Sequence, residues 1–129
     1  MKIEHIALWT KNIEVMREFY TGYFGGNANK KYRNDKNSFE SYFLHFDHGA
    51  RLELMKRPDI PENKNDPERQ FIGITHIAFS VGSREKVIEL TRRLKNAGYE
   101  VIKDPRTTGD GYFESTVLDP EKNIIEITE

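Results

Sequence analysis

Cysteine is absent from this chain. That excludes disulfides, thiolate metal sites and a cysteine nucleophile. Long apolar runs are absent too: none approaches the ~20 residues that a membrane-spanning helix needs. The first residues lead straight into an amphipathic strand, without the basic and apolar regions of a secretory signal, so a cytoplasmic location is the expectation. Neither sign of charge is in excess, since 20 Lys and Arg meet 21 Asp and Glu. No basic stripe points to nucleic acid, and no acidic tail points to a solvating arm.

What is present suits a soluble globular protein. With 129 residues the chain has the length of one domain, 1–129, and can build a core without disulfides. Hydrophobic residues make up 36% and charged residues 32%, interspersed along the chain. The organising feature is a repeat. Glu4-His5-Ile6-Ala7 is echoed by Thr75-His76-Ile77-Ala78, 71 residues later. Each His sits in a short strand-like run, Ile3 to Trp9 and Ile72 to Val81, that leads into a helical pattern. Each half then closes with a strand carrying one Glu: Arg51-Leu52-Glu53-Leu54 and Ile124-Ile125-Glu126-Ile127.

Taken in order, residues 1–10 read as a strand, with Ile6 and Leu8 on one face and His5, Ala7 and Trp9 on the other. Asn12 is a candidate N-cap, and Ile13, Met16, Phe19 and Tyr20 give a helix face that Gly25-Gly26 ends. Residues 27–37 read as loop or weak strand. Residues 39–46 and 50–56 read as strands around the Asp47-His48-Gly49 turn. The proline-containing stretch 57–70 reads as a linker between modules of about 1–56 and 71–129. In the second module, Ser83 is a candidate N-cap, and Val87, Ile88, Leu90, Thr91 and Leu94 give a helix face. Strands are expected at 99–103, 112–118 and 124–128, with a loop at 105–111. The triplet Phe39-Glu40-Ser41 recurs as Phe113-Glu114-Ser115 and adds to the likeness between the halves. The reading is α+β: two βαβββ modules with curved mixed sheets.

Alternation along the strands places the four ionisable residues. His5, Glu53, His76 and Glu126 are flanked by aliphatic residues that would pack under each helix, so the four face the other side. Curved half-sheets turned toward each other would bring them into one cleft. Two imidazoles and two carboxylates suit a divalent metal such as Zn, Ni, Co, Fe or Mn, and the two acids balance its charge. Singly, a strand His is more often a structural residue and a Glu a solvated one. The matched positions of all four favour ligands. His45 and His48 lack echoes and stay outside the site. Arg51 has the parity of Glu53 and could meet an anionic group; the alternative is a surface ion pair. Trp9 is a candidate apolar wall or a core residue, and Tyr112 a candidate at the mouth of the cleft.

His-Ile-Ala near the start, His-Ile-Ala-Phe opening the second half, and Asp119-Pro120 before Ile125-Glu126-Ile127 carry a resemblance that spans the chain. It resembles the vicinal oxygen chelate superfamily, which includes glyoxalase I, bleomycin-resistance proteins and extradiol dioxygenases. The resemblance implies a U-shaped metal-binding cleft of paired βαβββ modules. It implies His5, Glu53, His76 and Glu126 as ligands of one divalent ion per site. The quartet is similar to that of glyoxalase I, which implies a metal-dependent lyase or isomerase moving a proton beside a chelated oxygen, with Glu126 or Glu53 as the acid–base group. Alternatives are a non-catalytic small-molecule or antibiotic-binding protein, and an epimerase or dioxygenase relative. A small-molecule substrate and a homodimer are implied, with the site either within one chain or shared between subunits. Glutathione-using members generally carry Arg four residues after the first His, where this chain has Trp9.

Overall fold

The computed structural model describes residues 1–129. The chain forms two compact units, residues 1–62 and 63–129, and the break falls inside the proline-containing stretch. No helix is long and apolar enough to cross a membrane.

The first unit runs β1 (His5–Trp9), α1 (Ile13–Phe24), β2 (Asn27–Ala28), β3 (Tyr32–Asn34), β4 (Phe39–His45) and β5 (Arg51–Lys56). Its sheet has the order β1-β5-β4-β2, with β3 pairing β4. The β1–β5 pairing is parallel and the other pairings are antiparallel. Helix α1 forms where the sequence places it. The Asn12 side chain accepts a hydrogen bond from the Val15 amide, and Gly25 closes the helix in the left-handed region at φ 69°. Its buried face, Ile13, Met16, Phe19 and Tyr20, packs against the sheet face carrying Leu44, Leu52 and Leu54.

The second unit repeats the plan with β6 (His76–Ser80), α2 (Arg84–Asn96), β7 (Val101–Thr107), β8 (Phe113–Leu118) and β9 (Ile124–Thr128). Its sheet order is β6-β9-β8-β7, again with one parallel pair, β6–β9. Ser83 caps α2 through the Lys86 amide. Val87, Leu90, Thr91 and Leu94 are buried over Val117, Ile125 and Ile127. The buried Thr91 hydroxyl donates to the Val87 carbonyl at 2.6 Å and lies 2.6 Å from the Ser115 hydroxyl, tying α2 to β8.

The structure departs from the sequence expectations in three places. Ile88 is half exposed, not part of the α2 core face. The expected loop at 105–111 begins later, because β7 runs through Pro105 to Thr107. Pro105 is tolerated there since β7 is an edge strand, where a missing N–H removes no ladder hydrogen bond. The strand is irregular as well, with register shifts between Val101 and Lys103 and between Lys103 and Arg106.

The third departure concerns the repeated triplet, which is not structurally equivalent. Phe43 is the β4 residue opposite Glu53, and Thr116 is the β8 residue opposite Glu126. Ser41 therefore corresponds to Glu114, and the two Phe-Glu-Ser triplets are one residue out of register. In the first unit Glu40 lies on the helix side with Tyr42 and Leu44. In the second, Ser115 takes the helix side and Glu114 the open side. A one-residue slip exchanges the faces of every side chain in a strand, so the likeness is only in the letters.

Candidate metal centre

The open face of each sheet, away from its helix, carries one His and one Glu in the same arrangement. In the first unit Ala7 sits opposite Glu53 in the parallel ladder, and His5 precedes Ala7 by two residues on the same face. His5 Nε2 lies 3.8 Å from Glu53 Oε2. In the second unit Ala78 sits opposite Glu126, and His76 Nε2 lies 3.6 Å from Glu126 Oε2. The shared geometry follows from the shared parallel register. The alanine between the pair keeps the face low enough for both side chains to lean together.

The second ring nitrogen of each His is engaged by the residue before it. His5 Nδ1 is paired with the Glu4 carboxylate. His76 Nδ1 is 2.9 Å from the Thr75 hydroxyl. A proton held at Nδ1 leaves the Nε2 lone pair free and facing the Glu, the usual arrangement for a metal-ligating imidazole. Glu4 and Thr75 occupy matched positions, yet alternation alone gave no reason to single them out. Their signal was in the sequence as the residues preceding each repeated His. The contact with His5 is the main reason Glu4 is held below the usual carboxylate range, with Arg51 adding to it.

The donors fit a divalent cation. Two ligands ~2.1 Å from a zinc ion and about 110–120° apart lie roughly 3.4–3.6 Å from one another, close to the two separations found here. Each unit supplies two candidate ligands, not three or more.

The surroundings of the two pairs differ. Glu53 is flanked by Phe43, whose ring meets His5 edge-on at 5.5 Å. Farther along that face, Trp9 and Tyr32 both lie edge-on or tilted against Phe39 at 6.2 Å. Trp9 is 41% exposed and so is not a core residue. The guanidinium of Arg57 lies over its ring. Arg51 is paired with Glu4 and stacked over Phe43 at 4.3 Å, which makes it a buttress of the His5 side.

In the second unit the matching positions are polar. Thr116 stands where Phe43 does, Glu114 where Ser41 does, and Thr128 where Met55 does. Tyr112 is 59% exposed, just before β8. Burial is the main reason the Glu126 carboxyl is raised above its ordinary value, and the neighbouring Glu114 raises it further, against the pull of His76 and Arg106. Sequence reading passed over Glu114 and Arg106, because one lay in the misaligned triplet and the other in an expected loop.

The comparisons with known proteins agree with this fold. YwkD of Bacillus subtilis, an uncharacterised protein, is 29% identical over 128 residues, covering 98% of this chain and 95% of its own. A glyoxalase family protein from Enterococcus faecalis superposes with a TM-score of 0.79 at 22% identity, over 99% of this chain and 97% of that one. Glyoxalase I from Zea mays superposes with a TM-score of 0.78 at 18% identity, over 98% of this chain but only 44% of that longer one. A family model matches residues 2–127. The chain belongs to the Glyoxalase/Bleomycin resistance protein/Dioxygenase superfamily.

Proposed function

We propose that this protein is a metal-dependent lyase or isomerase of the glyoxalase I type, acting on a small oxygen-bearing substrate. The observation that carries the reading is the duplicated His–Glu pair. In both units an imidazole with Nδ1 engaged turns its free Nε2 toward a carboxylate at 3.6–3.8 Å. His5, Glu53, His76 and Glu126 would hold one divalent ion, with pairs joined within one chain or across the two copies of a homodimer. When bound, the ion supplies Lewis acidity to a carbonyl or hydroxyl oxygen.

The residues of the chain account for the remaining requirements. Glu126 is taken as the proton acceptor, because burial and the adjacent Glu114 raise its affinity for a proton. It would take a proton from one substrate carbon and return it to the neighbouring carbon, serving as general base and then general acid. Glu53 remains as charge balance. The aromatic face at Trp9 and Phe39 offers an apolar wall to the rest of the substrate and keeps water from it. Trp9 in place of the arginine of glutathione-using relatives favours a less acidic substrate.

The test is metal analysis of protein purified without chelator, followed by a hemithioacetal isomerisation assay. About one tight divalent ion per quartet is expected. Glu126→Gln and Glu53→Gln should each lower metal content, and Glu126→Gln should abolish turnover. Both variants retaining full metal and turnover would refute the assignment.

The exposed aromatic residues Trp9 and Tyr32 also favour a second reading, a non-catalytic protein that sequesters a flat small molecule. Trp9 is the only tryptophan. Metal-free protein whose fluorescence is quenched by a bleomycin-class drug, with no bound metal and no turnover, would establish that reading instead.

A further inference from the structure

The second unit holds polar groups that the proposed chemistry does not use. Across the open face, one row of paired residues reads Arg106 on β7, Glu114 on β8, Thr128 on β9 and Ser80 on β6. This row is adjacent to the one containing Glu126. Arg106 Nη2 donates to Glu114 Oε1 at 3.3 Å. The other end of the guanidinium, Nη1, is buried and has no acceptor. The Thr128 hydroxyl in the same row is likewise buried and unpaired.

Buried donors without acceptors are rare in native proteins and call for an explanation, because water cannot satisfy them. Glu114 already receives Nη2. Glu126 is the carboxylate in the next row of this face, two residues along β9 from Thr128. A guanidinium presents a planar fork of donors and can serve two carboxylates at once, which a lysine ammonium does less well.

The placement of Arg106 also needs a special backbone. Lys103 pairs with Thr116 and Arg106 with Glu114, so three residues of β7 span two of β8. Without that bulge Arg106 would point to the opposite face. Bulges next to functional sites commonly re-aim one side chain. The first unit has no counterpart, because the residue matching Glu114 is the neutral Ser41.

We propose that Arg106, anchored by Glu114, is a positioning residue whose Nη1, unpaired in this structure, would take up a Glu126 oxygen and fix that carboxylate for metal binding. The inference rests on the metal-site reading above and adds an asymmetry to it. Glu126 is the oriented acid of the quartet, while the β4 residue opposite Glu53 is the apolar Phe43 and Ser41 stands where Glu114 does.

The test compares wild-type, Arg106→Met and Arg106→Lys full-length proteins. Zinc is titrated into each by calorimetry, cobalt absorption spectra are recorded, and metal-free melting curves serve as the control for folding. Loss of an outer hydrogen-bond partner typically weakens metal binding about 10–100-fold. Arg106→Met should fall in that range, with an altered cobalt spectrum and a melting temperature close to wild type. Arg106→Lys should recover part of the affinity. Wild-type zinc affinity and an unchanged cobalt spectrum in Arg106→Met would overturn the inference while leaving the metal site standing. So would a loss of affinity matched by a collapse in metal-free melting temperature with no recovery in Arg106→Lys, which marks a purely structural role. A wild-type protein that binds neither zinc nor cobalt would overturn the proposed function as well.

Discussion

At the scale of single residues, the chemistry depends on which ring nitrogen of each His carries the proton. The Glu4 carboxylate, which only accepts, sets this for His5, while the Thr75 hydroxyl, which can donate or accept, orients the His76 ring. They differ in strength: a carboxylate makes a charge-assisted hydrogen bond and a hydroxyl a neutral one. Glu4→Gln and Thr75→Val should each weaken zinc binding, by about tenfold or more, without changing the ligands themselves. Competition with a coloured chelator would measure it. The larger loss should come from Glu4→Gln, because Arg51 also depends on Glu4 and would lose its partner. Equal affinity in all three proteins would mean that the imidazoles are oriented by other contacts.

At the scale of elements, each helix is tied to its sheet by a different device. In the second unit it is the buried pair Thr91–Ser115. Thr91→Val keeps the shape but leaves the Ser115 hydroxyl without a partner, so about 1–3 kcal/mol of stability should be lost. Chemical denaturation would read this as a lower midpoint with an unchanged slope. In the first unit the device is ionic. Lys31 pairs with Glu14 on α1 and Glu40 on β4, and the Tyr42 hydroxyl donates to Glu14. The hydrogen bond from Lys31 chiefly holds Glu14 below the usual carboxylate range. Burial would raise Glu40, but Lys31 and Arg33 outweigh it and leave it lowered.

A carboxylate with a lowered folded-state pKa contributes stability that is present above its unfolded value, here 4.5, and lost as pH falls through the folded value. Lys31 is raised above 10.5, so its own share is present below that pH and lost above it. Stability should therefore decline as pH drops below about the ordinary carboxylate range. Lys31→Met should flatten that decline. The partly exposed groups are screened by solvent, so the loss at neutral pH should be only about 1 kcal/mol or less. Melting temperatures measured from pH 3 to 7 would test the slope.

For the whole molecule, metal binding and folding are linked. An ion that binds only the folded chain stabilises it by about 2.7 kcal/mol at a concentration one hundred times its Kd. Zinc added to chelator-treated protein should raise the melting temperature, and a chelator should reverse the shift. The double variant His5→Ala/His76→Ala should show no zinc response while keeping its metal-free melting temperature near wild type, since both rings lie outside the cores. A homodimer, if formed, would sediment at twice the 15.1 kDa chain mass.

The sequence alone determined the two βαβ-type halves, both helix caps and the face on which the four repeated His and Glu side chains lie. Those features are local. Alternation at period two, helical spacing and capping side chains each act within a few residues, so they can be read directly from the order of the letters. Tertiary structure decided the rest. The Phe-Glu-Ser triplets looked equivalent until strand pairing showed them one residue apart, because register is a relation between strands and has no marker inside either one. Arg106 looked like a loop residue after a proline. Only its pairing to β8 at an edge, with an extra residue bulged out, turned it onto the face where Glu126 stands.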